Sequence, residues 1–274
     1  MSTEYVQPRL PESAPFSVTI VPCLKDNYSY IIYDKKSQQV AVVDPVEPDK
    51  VLSALESKLG LKPAAIKYVL TTHYHWDHAG GNDKLAGILA KEGSGEHVVV
   101  GGADDKIPAC SLQVTHGQEI KFGGLTIRAI HTPCHTRGHT CYYIAPNEDA
   151  EVKAEDFATA VFSGDTLFAG GCGRLFEGTA AEMHENLTKK LGTLPESTLV
   201  YAGHEYTKSN LAFGLAAAEP DNAILKAKLD WVSSLPAGTP SLPSSIRDEL
   251  ATNVFMRASS VERFADLRKQ KDSW

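Results

Sequence analysis

Three histidines and an aspartate crowd into His73-Tyr-His75-Trp-Asp77-His78, with a β-rich run at 66–72 before them and Gly80-Gly81 after. Successive side chains of a strand point to opposite faces, so an H-x-H pair continuing from a strand end turns two imidazoles to the same side. Asp77 and His78 come next, on the turn, where they can face a second ion. Four nitrogen and oxygen donors packed this closely suit zinc, iron or manganese better than calcium or magnesium. A lone histidine is most often an ordinary hydrogen-bonded residue, but H-x-H-x-D-H between a strand and a glycine pair reads as a metal motif. The fold must then be one that gathers strand ends and their loops at one edge of a sheet.

Three more candidate donors stand in the same position relative to strands. His135 lies in Thr132-Pro-Cys-His-Thr-Arg-Gly-His139, just past a strand at 125–131; Asp165 follows Val161-Phe-Ser-Gly; His204 follows Leu199-Val-Tyr-Ala-Gly. Loops at one sheet edge can bring these to the 73–78 cluster. His73, His75, Asp77, His78, His135, Asp165 and His204 are too many for one tetrahedral ion and enough for two if one carboxylate bridges. With that set complete, His131 and His139 read as structural residues or as partners that fix imidazole orientation. His97, His116 and His184 have no neighbours of ligand type and read as ordinary. Cys134 and Cys172 lack a paired thiol or a basic partner, so neither reads as a ligand or a nucleophile.

Around these motifs the pattern is that of a layered α/β protein. Short β-rich runs at 16–21, 28–33 and 39–43 end at Pro22, Asp34 and Pro45, a strand meander. Residues 49–59 read as an amphipathic helix, with Val51, Leu52, Leu55 and Leu59 on one face and Gly60 placed as its C-terminal cap. Further strands are predicted at 66–72, 97–101, 125–131, 140–145, 158–163 and 198–201. Residues 147–156 carry five acids and one lysine without apolar periodicity, a solvated loop. Past residue 205 the character turns helical, at 205–218, 222–234 and 245–250, with Pro220, Pro236, Pro240 and Pro243 between. A last helix opens on a Ser259-x-x-Glu262 capping box and sets Val261, Phe264 and Leu267 on one face. Residues 1–15 read as an irregular arm.

A net charge of −7, from 27 Lys and Arg against 34 Asp and Glu, argues against a nucleic-acid binder, which needs a basic face. No apolar run approaches the ~20 residues of a membrane span, so no membrane partner is expected. Five cysteines, at 23, 110, 134, 141 and 172, form no C-x-x-C pair and follow no secretory leader, which points to a reducing, cytoplasmic location.

Taken together, these motifs resemble the metallo-β-lactamase superfamily, whose signature is H-x-H-x-D-H, and within it the glyoxalase II, or hydroxyacylglutathione hydrolase, family. The resemblance runs from about Phe16 onward. It is carried by Val43-Asp-Pro, by residues 72–82 and 132–140, by Gly164-Asp-Thr-Leu-Phe, by Gly170-Gly-Cys-Gly-Arg-Leu-Phe-Glu-Gly-Thr179, by Gly203-His-Glu-Tyr-Thr207 and by Leu267-Arg-x-x-Lys-Asp272. H-x-H-x-D-H alone would point only to the superfamily; the G-C-G-R-L-F-E-G-T stretch and the helical tail select the branch.

The resemblance implies an αββα sandwich at 16–204 followed by a smaller all-helical, glutathione-binding domain at 205–274. It implies one metal site at His73, His75 and His135 and a second at Asp77, His78 and His204. Asp165 would bridge two divalent cations, zinc first, with iron or manganese as alternatives. Glutathione contacts are implied at Arg174, Phe176, Tyr206, Arg268 and Lys271, with His204 facing the substrate as well. Many members have Lys and Tyr where this chain has Arg174 and Phe176, so a tyrosine hydroxyl at 176 is missing. Residues 257–274 carry five basic and three acidic side chains. Read by themselves, Arg268, Lys269 and Lys271 coat the solvated face of the last helix; only the resemblance makes Arg268 and Lys271 ligand-binding.

The activity implied is hydrolysis of S-(2-hydroxyacyl)glutathione, chiefly S-D-lactoylglutathione, to glutathione and a 2-hydroxy acid, the second step of methylglyoxal detoxification. The nucleophile implied is a hydroxide between the two ions, oriented by Asp77. A monomer acting on this small molecule, without nucleic acid or membrane, is expected. A single-iron persulfide dioxygenase on the same scaffold would have a shorter tail without R-x-x-K, and an RNA-processing nuclease a long basic arm.

Overall fold

Apolar runs that must be buried on both faces build the frame. The computed structural model describes residues 4–92, 97–147 and 158–274. The chain enters as β1 (Phe16–Cys23), β2 (Asn27–Asp34) and β3 (Val40–Val43), then α1 (Pro48–Leu59) and β4 (Ile66–Leu70). Two helices, α2 (Trp76–Ala79) and α3 (Asn82–Lys91), lead to β5 (Val98–Gly102) and β6 (Leu112–Val114). Next come β7 (Glu119–Phe122), β8 (Leu125–His131), β9 (Thr140–Pro146) and β10 (Ala160–Gly164). A small hairpin of β11 (Leu167–Phe168) and β12 (Gly171–Cys172) follows. Then α4 (Ala180–Glu185) runs on into a π-helical segment, Asn186–Leu191, before β13 (Leu199–Ala202). The remainder is α5 (Thr207–Ala217), α6 (Ala223–Ser234), the two-residue β14 (Ser244–Ser245), α7 (Ile246–Thr252) and α8 (Val261–Asp272).

Strands β1 to β6 form one sheet in chain order, antiparallel through β3 and parallel from β3 to β6. The second sheet runs β14-β13-β10-β9-β8-β7, with β10 and β13 parallel and the other pairs antiparallel. Alternation along the strands then sorts the side chains into layers. Tyr30, Ile32, Ala41, Val43 and Leu70 of the first sheet share a core with Phe122, Ile127, Tyr142, Ile144 and Phe162 of the second. Their neighbours Ile31, Val40, Val42 and Val69 turn the other way, onto Val51 and Leu55 of α1 and Leu85 and Leu89 of α3. On the far side Val161 and Val200 meet Met183, Leu187, Leu211 and Phe264. Helices thus cover both outer faces of a two-sheet sandwich, the αββα order that the resemblance implies, and each fully buried aliphatic side chain adds about 1.5–3 kcal/mol.

The predicted helix at 49–59 forms, and Gly60 closes it at φ 66°, its N–H donating to Glu56. One expectation changes, one helix went unread and the irregular arm gains contacts. The last helix is capped by Ser260, whose side chain accepts from the Arg263 N–H at 3.2 Å, one residue after the predicted Ser259 box. With two serines in tandem, the register is decided by which start buries Phe264 and Leu267. Residues 82–91 form a helix that the pattern left unassigned, because Gly87 interrupts it and only Leu85 and Leu89 mark its inner face. The arm has no regular structure through residue 15, yet it is anchored: Tyr5 packs on Trp231 at 4.8 Å and donates to Asp248, and Gln7 donates to the Leu242 carbonyl. Apart from Asn147, the predicted acidic loop at 147–156 lies outside the described residues. Among the described residues no helix is long and apolar enough to cross a membrane.

The two sheets are stitched together where their strands end. Thr140 N–H donates to the Thr72 carbonyl and Tyr28 N–H to that of Gly203, each bond crossing from one sheet to the other. At this edge the loops after β4, β8, β10 and β13 all emerge.

Candidate active site

Each of those four loops delivers donors within a few residues of its strand. The loop after β4 carries His73, His75, Asp77 and His78; the others carry His135, Asp165 and His204 in turn. All seven come together. The ligand atoms of His73, His75 and His135 lie within 4.8 Å of one another, as do those of Asp77, His78 and His204, and those of His73, His78 and Asp165. Asp165 stands between the two triplets. Its Oδ1 is 3.3 Å from His78 Nε2 and 3.5 Å from His204 Nε2, and its Oδ2 is 3.4 Å from His135 Nε2.

The imidazole tautomers follow from what their outer nitrogens touch. His78 Nδ1–H donates to Asp44 Oδ2 at 2.9 Å, His204 Nδ1–H to Asp26 Oδ1 at 2.8 Å, and His135 Nδ1–H to the Arg174 carbonyl at 3.0 Å. His73 Nδ1 is 3.0 Å from Thr72 Oγ1, whose own proton goes to Asp44. Four Nε2 lone pairs are therefore aimed inward, His78 and His204 only 3.2 Å apart. His73 Nε2 and His135 Nε2 each lie 3.0 Å from His75 Nδ1. Bare lone pairs at such distances repel unless a cation lies among them, and buried Asp165 Oδ1 has no hydrogen-bond partner of its own. Converging imidazole nitrogens with carboxylates are the donor chemistry of a divalent metal site.

Electrostatics point the same way. Burial, reinforced by the surrounding imidazoles, holds His73 well below its ordinary pKa. Burial also opposes a charge on His78 and His204, yet Asp165 and Asp44 lift the first, and Asp77 and Asp165 the second, above the usual value. Asp165 and Asp77 are held far below the carboxylate range, against the effect of burial, by the histidines facing them. The cluster is thus a pair of carboxylates that demand positive charge.

Several orienting residues hold these donors in place, and one of them, Asp44, belongs to the Val43-Asp-Pro motif. Asp44 accepts from Thr72 N–H, Thr72 Oγ1–H and His78, and so holds the strand-end loop and a donor together. Asn27 Nδ2 donates to Asp77 Oδ2 at 2.9 Å, while Asp26 holds His204. The one sequence signal of Asp26 and Asn27 is position, as polar residues at the start of the buried strand β2. His139, predicted to be structural or orienting, is fully buried; its Nδ1 lies 2.9 Å from Thr132 Oγ1, and its Nε2 accepts the Asp165 N–H at 3.1 Å. His131 Nε2–H donates to the Arg137 carbonyl, away from the cluster.

A cleft of about 400 Å³ opens on the cluster and is lined by His75, Asp77, His135, Asp165 and His204 together with Arg174, Phe176, Tyr206, Arg268 and Lys271. Phe176, 59% exposed, packs against His135 and His75. Tyr206 stacks parallel on His204 at 4.8 Å. Arg268 is buried and largely committed: it donates to the Cys172 carbonyl and, through Nε and Nη2, to Asp272. Arg174 remains mostly exposed, with Nε 3.9 Å from the same Asp272. Lys271 donates to the carbonyl and hydroxyl of Ser209. Burial pushes the thiols of Cys172 and Cys134 up to about 11 and about 12, so both stay protonated at neutral pH.

Comparison with known proteins agrees with this architecture. Residues 25–150 match the metallo-β-lactamase superfamily, and residues 205–274 match the hydroxyacylglutathione hydrolase C-terminus. The chain is 43% identical to a cytoplasmic hydroxyacylglutathione hydrolase of Arabidopsis thaliana, covering 93% of this chain and 97% of that one. It is 39% identical to a hydroxyacylglutathione hydrolase of Pelagibacter ubique, covering 94% and 99%. Among solved structures, ETHE1 from Myxococcus xanthus superposes with a TM-score of 0.64 at 27% identity, over 93% of this chain and 89% of the other. A metallo-β-lactamase from Staphylococcus aureus shares the fold, at a TM-score of 0.62 and 20% identity over 95% and 72%. With a sandwich that gathers seven donors at one edge and a helical tail matched over its whole length, the chain belongs to the hydroxyacylglutathione hydrolase family of the metallo-β-lactamase superfamily.

Proposed function

We propose that the protein hydrolyses S-(2-hydroxyacyl)glutathione thioesters, S-D-lactoylglutathione first among them, as a cytoplasmic monomer with two divalent cations, zinc before iron or manganese. The observation that carries this reading is the shared cleft, which puts a metal-type donor cluster and a set of cationic and aromatic side chains on the walls of one cavity. His73, His75 and His135 would hold one cation, Asp77, His78 and His204 the other, and Asp165 both. When bound, the cations supply a nucleophilic hydroxide by lowering the pKa of water to about 7, and they stabilise negative charge on the thioester oxygen.

The chain's own side chains do the rest. Asp77, partly exposed to the cleft and pinned by Asn27, orients the attacking water. Water adds across the acyl C–S bond: oxygen goes to the acyl carbon, and the sulfur leaves with the electron pair and takes up a proton. A thiol with a pKa of about 8.5 is a good enough leaving group to need no acid from the protein. Arg174 and Lys271 are the cations available to the carboxylates of glutathione, and Phe176 and Tyr206 are the surfaces it lies on. Residues 205–274 serve as the glutathione-binding part, within which Arg268 acts chiefly by holding Cys172.

The test is thioester loss from S-D-lactoylglutathione by purified protein, before and after chelation. Turnover should disappear with the metal and return when zinc, iron or manganese is added back. Metal-loaded protein that leaves the thioester intact would overturn the reading, and oxygen uptake with glutathione persulfide would then be measured.

Lys271 makes the reading testable by pH. Half-burial, with Arg268 beside it, lowers its pKa to about 8. The folded protein therefore gives up this proton more readily than the unfolded chain, and the charged form that binds an anion is lost as pH rises. The free-enzyme profile of kcat/KM for the glutathione thioester should fall through about pH 8. Lys271→Arg should keep the affinity and remove that limb; an unchanged limb would assign it to another group.

A further inference from the structure

Every residue of one short turn is held by a side chain from the C-terminal helices. Along residues 168–172, Asn253 donates to the carbonyls of Phe168 (3.2 Å) and Gly171 (2.9 Å), and Asn210 to that of Ala169 (3.2 Å). Glu249 Oε2 accepts the Gly170 N–H at 2.7 Å, and Arg268 donates to the Cys172 carbonyl at 3.0 Å. At the tip, Gly170 and Gly171 offer only backbone, because the hairpin lies flush on α5. Gly170 has φ +69°, and a Cβ on Gly171 would stand 2.5 Å from Asn210 Nδ2.

Glu249 is the centre of this grip and is fully buried. Its Oε2 also takes a bond from Asn253 at 2.9 Å, while its Oε1 pairs with Lys228 Nζ at 2.9 Å. The Lys228 ammonium is buried as well and donates to Ser244 Oγ at 2.8 Å. A buried ion pair is a poor source of stability, since apolar replacements of similar volume often serve as well. What the pair does have is an aim: the carboxylate oxygen that Lys228 does not take points at the tip of the hairpin. That hairpin connects Asp165 to Gly173 and Arg174, and Phe168 and Cys172 on its two strands line the cleft.

We propose that Glu249, oriented by Lys228, is a positioning residue for thioester binding: it clamps residues 168–172 against the helices and so sets the wall of the cleft beside Arg174. This rests on the thioesterase reading above.

The test compares two metal-loaded double variants. Lys228→Met with Glu249→Leu removes both charges and the acceptor for Gly170, whereas Lys228→Met with Glu249→Gln removes the charges and keeps an acceptor oxygen. The Leu variant should show a KM for S-D-lactoylglutathione raised about tenfold, kcat nearly unchanged and faster hydrogen exchange at residues 168–172. The Gln variant should return KM to within about twofold of wild type. Faster exchange with an unchanged KM would overturn the proposal. So would a loss of kcat, metal content and melting temperature in parallel, the signature of a merely structural role. Wild-type protein that holds metal and spares the thioester would overturn the functional reading alone. The clamp is then decided by calorimetric affinity for glutathione, about tenfold weaker in the Leu variant if it stands and equal to wild type if it fails.

Discussion

Asp165→Ala is expected to strip both halves of the metal cluster at once, with metal content by mass spectrometry falling from two ions per chain towards none and thioester turnover dropping on the order of 10³-fold. The reason is position. Asp165 is the one donor that faces both triplets, Oδ1 towards His78 and His204 and Oδ2 towards His135. It is also the buried negative charge around which those imidazoles are arranged, and its own N–H is held by His139 Nε2. Without it, each half loses a ligand, and His78 and His204 lose the carboxylate that favours their charged forms. His135→Ala, by contrast, touches one triplet and should leave the other ion in place. An Asp165→Ala protein with two ions and full turnover would refute the bridging role.

Lys228→Met alone should be among the most destabilising single changes in the chain. It removes the cation from a fully buried carboxylate that cannot reach water, and breaking such a pair from one side costs about 3–5 kcal/mol. For a chain of this size that corresponds to a fall in melting temperature of roughly 6–20 °C. Removing both charges while keeping an acceptor for Gly170 leaves neither an orphaned ion nor an orphaned N–H, so the Met and Gln pair should melt within a few degrees of wild type, and a double-mutant cycle would report a large coupling. If Lys228→Met melted within about 2 °C of wild type, Glu249 would have found another partner and the ion pair would not be the constraint described here.

How far the sequence could be read varied with how local the signal was. Strands such as β2 and β3 are nearly continuous apolar runs, and α1 shows its inner face every three or four residues and its end at Gly60. Those patterns are written into neighbouring residues and needed no tertiary information. Helix α4 was not read: Thr179 and Glu182 form a reciprocal capping box, but the helix lasts six residues before turning π-helical and shows no long stripe. The two-residue strands β11, β12 and β14 have no periodicity to read.

The donor set divides along the same line. His73, His75, Asp77, His78, His135, Asp165 and His204 stood out because their residue types are rare in such spacing and each follows a strand end. The side chains that hold them did not. Asp26 reaches His204 across 178 positions, Asn27 reaches Asp77 across 50 and Asp44 reaches His78 across 34. Asp44 stood in the Val43-Asp-Pro motif, but nothing local separates Asp26 from an aspartate that faces water. Arg268 makes the same point: its sequence context suggested a free cation on the last helix, and packing turned it inward onto Cys172 and Asp272. By itself the sequence determined the longer elements and picked out the candidate donors, because burial periodicity and ligand chemistry are properties of residues and their near neighbours; the layer order followed from the family resemblance that the motifs carry. Only the tertiary structure decided which polar partner each donor meets and which helix grips the hairpin, because a hydrogen bond forms between groups that packing brings within about 3 Å, however far apart they lie in the chain.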